Sequence, residues 1–107
     1  MAFKAVFMAI SPDAEKDQHR SMIDTGKYRL FSVIVKNSDD ALNVAKELYD
    51  QEQIHSIILC PGFTHTDVSA IFQALNGNVG VSVARADGPS SKITLPILKK
   101  NCGVDGS

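Results

Sequence analysis

The sequence has no surplus of basic residues, and this absence limits the partners that we expect. Of the 107 residues, eleven are Lys or Arg and twelve are Asp or Glu, which gives a net charge of −1. Proteins that bind nucleic acids by neutralising phosphates normally carry a basic surplus. We therefore expect no nucleic-acid partner, and the pair Lys99 and Lys100 is too small to form a basic patch.

Long apolar runs are also missing. The longest, residues 5–10, has six residues, whereas a membrane-spanning helix needs roughly 20. The beginning of the chain, residues 1–4, also lacks the longer apolar segment and the cleavage site of a secretory signal. These absences predict a cytoplasmic protein with no membrane partner.

Cysteine is scarce, and the common site motifs are absent. Two cysteines, Cys60 and Cys102, are too few for a disulfide framework. No C-x-x-C or H-E-x-x-H spacing occurs, so we predict no metal site. Signatures of dinucleotide binding, of a P-loop and of a Ser-His-Asp triad are missing too. The sequence therefore points to no particular cofactor.

Four apolar segments are typical of strands: residues 3–10, 28–36, 54–60 and 79–84. The first is apolar without alternation from residue 5 to residue 10, which is typical of a strand covered on both faces.

Helical spacing connects these segments. A stripe from Ala41 to Tyr49 predicts a helix capped by Ser38, and a second stripe predicts a helix over residues 67–76. Residues 13–24 predict a weak helix that ends at Gly26.

The last segment is ambiguous. Ile93, Leu95 and Ile97 alternate as in a strand, whereas Pro96 can open a short helix through Lys99 and Lys100, which we favour. Residues 103–107 resemble a frayed end.

Strands that alternate with helices predict an α/β fold. We expect one domain over residues 1–107, with an uncertain tail at 89–107, built on a mainly parallel sheet of about four strands with β-α-β crossovers, flavodoxin-like or half-barrel-like. The edges of such a small sheet stay unpaired unless something covers them. We therefore expect a homo-oligomer that buries a sheet edge or the thin first helix.

Several short segments carry a resemblance to a known family. They are residues 3–7, 15–16 with 19–20, 33–36, 41–48 and, most specifically, 59–63 with His65. Together they resemble a family of small bacterial α/β proteins known only as a domain of unknown function. The resemblance covers residues 3–88. It implies a small α/β domain and gives no activity or functional residue to transfer to this chain.

The loop at residues 60–66 is the predicted binding site, because open parallel sheets bind ligands beyond the carboxyl ends of their strands. The following helix offers free N–H groups that favour an anion, and Gly62 permits close approach of the backbone. We expect a small anionic molecule in contact with Cys60, Gly62, Phe63, Thr64, His65, Thr66, Arg85, Asp87, His19 and Arg20.

Other interpretations of these residues remain open. Thr64 or Thr66 caps the helix without any ligand. Arg85 and Asp87 pair with each other, and His19 with Arg20 forms a solvated helix face. In a second function, the chain is an oligomeric structural or interaction subunit that binds no ligand. In a third, it is an enzyme in which Cys60 is the nucleophile and His65 the base, since a helix N-terminus and an imidazole both activate a thiol.

Overall fold

The computed structural model describes residues 1–102 and contains a sheet of five strands in the order β2-β3-β1-β4-β5. The strands are β1 (Phe3–Ile10), β2 (Arg20–Asp24), β3 (Tyr28–Val35), β4 (Ser56–Leu59) and β5 (Gly80–Val83). Strand β1 pairs in parallel with β3 and β4, β4 pairs in parallel with β5, and β2 runs antiparallel to β3. The expected mainly parallel α/β sheet is confirmed, but the sheet has five strands and not four. The end predicted to fray, residues 103–107, lies outside the described residues.

Two of the predicted helices are confirmed with small shifts of their ends. Helix α1 is Ser38–Glu52, and its N-cap is Asn37 instead of Ser38, because the Asn37 side chain accepts a hydrogen bond from the Asp40 N–H at 2.9 Å. Helix α2 is His65–Ala74, so it begins two residues before the predicted start.

The predicted helix over residues 13–24 is wrong. Residues Arg20–Asp24 form β2, which joins β3 through a turn at Gly26, whose φ is 99°. The Asp24 carboxylate accepts hydrogen bonds from the Gly26 N–H at 2.8 Å and from Arg29 Nε at 2.9 Å. The Gly26 bond and then Arg29 lower the pKa of Asp24. Glycine at this position therefore marks a hairpin, where the sequence suggested the end of a helix.

The favoured prediction of a helix in the last segment is confirmed, but Pro96 does not open it. Helix α3 is Gly88–Cys102, and Pro96 lies in its interior. The first turn closes through a hydrogen bond of 2.8 Å from the Ser91 N–H to the Asp87 carbonyl. None of the described residues of α3 is buried.

Helices α1 and α2 pack on one face of the sheet, called the covered face. Both crossovers, β3-α1-β4 and β4-α2-β5, run in the same direction across the sheet, so right-handed connections place both helices on the same side. The core lies between them and the sheet. It contains Val6, Met8, Val33, Val35, Ile57 and Leu59 from the strands, and Ala41, Val44, Ala45, Leu48, Ile71 and Leu75 from the helices or their ends.

The opposite side, called the open face, carries the alternate residues of the same strands. Five of its larger apolar side chains are between 36% and 46% exposed: Phe3, Phe7, Tyr28, Ile34 and Ile58. At the carboxyl end of this face, Ala9 and Cys60 line a cavity together with residues of α3. Within residues 1–102, the middle of the open face therefore stays exposed, whereas the covered face is buried by α1 and α2.

Candidate functional site

Four of the five strands are parallel, namely β1, β3, β4 and β5, so their carboxyl ends lie at the same end of the sheet, as the sequence predicts. Register pairs Ile10 with Val35, and Leu59 with Val83, near this carboxyl end. The loop after β4 is tied to both neighbours, because the Cys60 N–H donates to the Met8 carbonyl at 2.9 Å and the Ala84 N–H donates to the Leu59 carbonyl at 2.8 Å. This anchoring gives the loop a fixed position at the centre of the carboxyl end.

A cavity of about 310 Å³ lies between this loop, the end of β1 and α3. We call it the α3 cavity. It is lined by Ala9, Ile10, Cys60, Pro61, Gly62, Ala86, Ser91, Thr94, Leu95 and Leu98. Most of these walls are carbon, and the side-chain polar groups are the hydroxyls of Ser91 and Thr94 with the thiol of Cys60.

Gly62 leaves space in the α3 cavity without being required by the backbone. A Cβ built at this position would lie 3.6 Å from Cys60 Sγ, an ordinary van der Waals contact, and the residue has no positive φ. A methyl group therefore fits there at the expense of cavity volume.

The structure brings only two of the predicted binding residues, Cys60 and Gly62, to the α3 cavity. Phe63 is 5% exposed and belongs to the core. Phe63 also lines a neighbouring groove of about 390 Å³ with Thr64 and His65, and this groove shares Pro61 and Ala86 with the α3 cavity.

The N-terminus of α2, where the sequence predicts an anion, already holds a carboxylate. Asp67 Oδ2 accepts from the Thr64 N–H at 2.8 Å, and Thr64 Oγ1 accepts from the Asp67 N–H at 3.2 Å. This is a capping box, so the capping interpretation of Thr64 describes the structure. Partial burial raises the pKa of Asp67, but hydrogen bonds from Thr64 and Ser38 outweigh it and lower the pKa.

Arg85 and Asp87 pair with each other, with 2.6 Å between Arg85 Nε and Asp87 Oδ1. The Arg85 side chain is 87% exposed, so this pair contributes little to stability.

His19 and Arg20 lie away from the predicted loop, because two strands separate β2 from β4, or about 14 Å. His19 Nδ1 accepts from the Glu15 N–H at 2.8 Å. Arg20 Nη1 lies 3.0 Å from Glu47 Oε2 of α1. These contacts fix the loop that precedes β2 and also Arg20, which is the first residue of β2.

Cys60 and His65 line different cavities, and the part of the chain described by the structure shows no hydrogen bond between them.

Residues 1–102 contain no cluster of three His, Cys, Asp or Glu side chains that could hold a metal ion. No helix in the same range is long and apolar enough to cross a bilayer.

Sequence reasoning missed the contribution of α3 to the cavity. Ser91, Thr94, Leu95 and Leu98 share one side of this helix at a spacing of three to four residues. That spacing was present in the sequence, but the alternation of Ile93, Leu95 and Ile97 concealed it.

Comparison with known proteins gives a family and no described function. A model of a family of unknown function, DUF6506, matches residues 3–95. No curated protein and no solved structure matches the chain. The matched range includes all five strands, the loop after β4 and the first half of α3.

Proposed function

Because this chain belongs to the DUF6506 family, for which no function is described, we propose from geometry alone that it binds a small, mainly apolar molecule in the α3 cavity. The position of this cavity carries the proposal, since open α/β sheets bind ligands at the carboxyl ends of parallel strands. Its volume of about 310 Å³ is at the lower limit of typical ligand sites, about 300–1,000 Å³. A cavity of this volume suits a molecule of small-metabolite size better than a larger one.

The lining indicates the chemistry of the ligand. Ala9, Ile10 and Leu95 offer apolar surface, and the removal of that surface from water favours a hydrocarbon body. Ser91 and Thr94 lie three residues apart on α3 and face the same side. Their hydroxyls can each donate and accept a hydrogen bond, which suits one polar group on the ligand.

A neutral polar group suits this cavity better than an anionic one. The lining contains no Lys or Arg, and an anion taken from water without a cationic partner pays a large desolvation penalty. The N-terminus of α2, the other feature that favours an anion, is already occupied by the Asp67 carboxylate. The small anionic molecule predicted from the sequence remains the second form of the proposal.

Paired small molecules test both forms at once. Each pair has one carbon skeleton that carries either an alcohol or a carboxylate, and thermal unfolding of the full chain is followed against concentration. We expect the neutral members to raise the Tm in a saturable way, with about 2.7 kcal/mol of stabilisation at 100 times Kd. Saturable stabilisation by the carboxylates alone would favour the anionic form.

Gly62→Ala is the variant that localises the binding. Its methyl group occupies the cavity beside Cys60 Sγ, so we expect weaker binding with little change in the Tm of the free protein. Gly88→Ala is the matched control, because a Cβ there has nothing within 4 Å. Equal affinities of the two variants, or no stabilisation by any compound, would remove the proposal.

Cys60 supplies an independent readout, because its side chain lines the α3 cavity. In a Cys102→Ser background, alkylation of Cys60 by iodoacetamide should slow in proportion to the occupancy of the cavity. The same assay, run against pH without ligand, tests the enzyme hypothesis. A thiol that titrates near its ordinary pKa of about 8.5, or does not react, argues against a catalytic Cys60.

A further inference from the structure

The open face of the sheet is apolar even though no described helix covers it. Phe3, Phe7, Tyr28, Ile34 and Ile58 are each more than one third exposed on this side. Monomeric proteins rarely expose a continuous apolar patch of this kind, and larger patches mark interaction sites. The run without alternation in β1 predicts a strand covered on both faces, whereas α1 and α2 cover one. Neither α1 nor α2 therefore supplies a cover for the open face.

The strand positions on the open face carry no charged side chain. Register places Ser21, Ser32, Phe7, Ile58 and Ser82 side by side across its middle. The row nearer the amino end holds Ile23, Leu30, Ala5, Ser56 and Gly80. Polar groups on this face are hydroxyls, and the charged residues of the strands, such as Lys4 and Arg29, lie on the covered side, where they pair with Glu52 of α1.

We propose that the open face binds the open face of a second copy of the chain, which forms a two-fold dimer. In such an interface each residue faces the same surface on the partner copy, so a charged face would meet like charges. A face that is apolar and uncharged avoids this repulsion and complements itself. A charged or strongly polar partner would find no counterpart on it.

The size of the face agrees with a dimer of moderate stability. Five strands spaced about 4.8 Å apart and averaging about 19 Å in length cover a flat area of about 450 Å². Two copies therefore bury about 900 Å² as planes, and the relief of the side chains increases the accessible area. Stable interfaces begin at about 1,000–1,200 Å². The estimate lies at this limit, which is typical of weak or transient association, so we look for the dimer at micromolar concentrations.

This proposal is independent of ligand binding and uses a surface different from those predicted by the sequence. The predicted homo-oligomer buries a sheet edge or the first helix, whereas residues 20–24 of that supposed helix are themselves the edge strand β2. The α3 cavity lies at the carboxyl end of the sheet, so a dimer through the middle of the open face leaves its lining on α3 unused.

Sedimentation velocity of the full chain tests the dimer, with loading concentrations from about 1 to 100 µM to cover the micromolar range. Phe7 is the residue to change, because it lies in the middle of β1, the central strand. We expect Phe7→Glu and Phe7→Lys each to weaken the dimer by roughly 100-fold or more, since two like charges would be buried near the two-fold axis. An equimolar mixture of the two variants should form a dimer again.

Phe72→Glu is the matched control, because Phe72 is similarly exposed, at 44%, but lies on α2 beyond the covered face. It should dimerise like the wild type. Ser32→Glu, beside Phe7 in register, repeats the test on a smaller side chain if the Phe7 variants do not fold. Circular dichroism checks folding in each case.

Two results would overturn the proposal. One is a wild type that stays monomeric over the whole concentration range, whether α3 of the same chain closes over the face or the face stays bare. The other is a dimer that neither Phe7→Glu nor Ser32→Glu weakens relative to Phe72→Glu, which would place the interface on another surface.

Discussion

The covered face and the open face of the sheet are formed by alternate residues of the same strands, yet they differ sharply in burial. Ile57 and Ile58 are neighbours on β4, yet Ile57 is 0% exposed and Ile58 is 41% exposed. Their side chains are identical, and only the alternation of the strand separates them. Coverage is decided by the direction of the crossovers, which depends on strand order. Hydrophobicity therefore shows that a face needs a cover, but does not show what provides it.

Charge separates the two faces more clearly than hydrophobicity does. At the margins of the covered face, Lys4 Nζ lies 3.5 Å and Arg29 Nη1 lies 3.2 Å from Glu52 Oε1 of α1. The strands carry their charges where a helix of the same chain supplies a partner. The open face has no such partner within the described chain and has no strand charges either. This difference in charge is the observation on which the proposed dimer rests.

The largest expected effect is the loss of stability when a core side chain is removed from the covered face. Ile57→Ala should lower the free energy of unfolding by about 2–5 kcal/mol, because it leaves a cavity under α1 and α2. Urea unfolding at one protein concentration measures this change. A cost below 1 kcal/mol would mean that the covered face is not the rigid side of the sheet.

A smaller effect concerns a helix that covers this face. Thr64→Ala removes the N-cap of α2 and should cost about 1 kcal/mol in the free energy of unfolding. Thr66→Ala is the control, since Thr66 lies inside the helix and alanine favours helix formation. Equal stability of the two variants in urea would show that the capping box contributes nothing.

The matched change on the open face should cost less in dilute protein. Ile58→Ala removes a side chain already 41% exposed, so we expect a loss of less than about 1 kcal/mol when the chain is monomeric. At higher concentration the wild type gains stability from association, and Ile58→Ala should gain less. Thermal unfolding at two concentrations measures both terms. Equal gains for the two proteins would contradict a role of Ile58 in association.

The smallest effect is a pH dependence at the N-terminus of α2. The pKa of Asp67 is lowered in the folded chain, so its ionised form stabilises the fold above the unfolded pKa of about 3.9. This contribution is lost as pH falls through the lower folded pKa. The stability difference between wild type and Asp67→Asn should therefore shrink from pH 6 to pH 2.5, as measured by urea midpoints. A difference that stays constant would show that Asp67 does not titrate in this way.

Sequence reasoning predicted the parts of the fold that carry a strong apolar signal. The stripe of α1 is set by burial on the covered face. The apolar runs of β1 and β3 combine residues buried on that face with apolar residues of the open face, such as Phe7 and Ile34. Strand β2 leaves no such signal, because it is an edge strand and four of its five residues are exposed. Its structure depends on pairing with β3, and no pattern within residues 20–24 indicates that pairing.

The site was predictable in position but not in composition. The rule for parallel strands pointed to the loop with Cys60 and Gly62, and both residues line the α3 cavity. The other wall comes from α3, which lies far away along the chain and has no buried residue to reveal its orientation. The threonines of the loop looked like ligand groups, yet Thr64 hydrogen-bonds within the capping box of α2.

The place of β1 in the strand order has a consequence for how the chain folds. It comes first along the chain but is the middle strand, and its partners are Tyr28–Val35 on one side and Ser56–Leu59 on the other. During synthesis this apolar strand cannot pair on its second side until β4 has left the ribosome. Long-range pairings of this kind slow folding, and they leave apolar segments and unpaired strand edges exposed to other chains. A newly made chain is therefore most vulnerable to aggregation before residue 59 emerges.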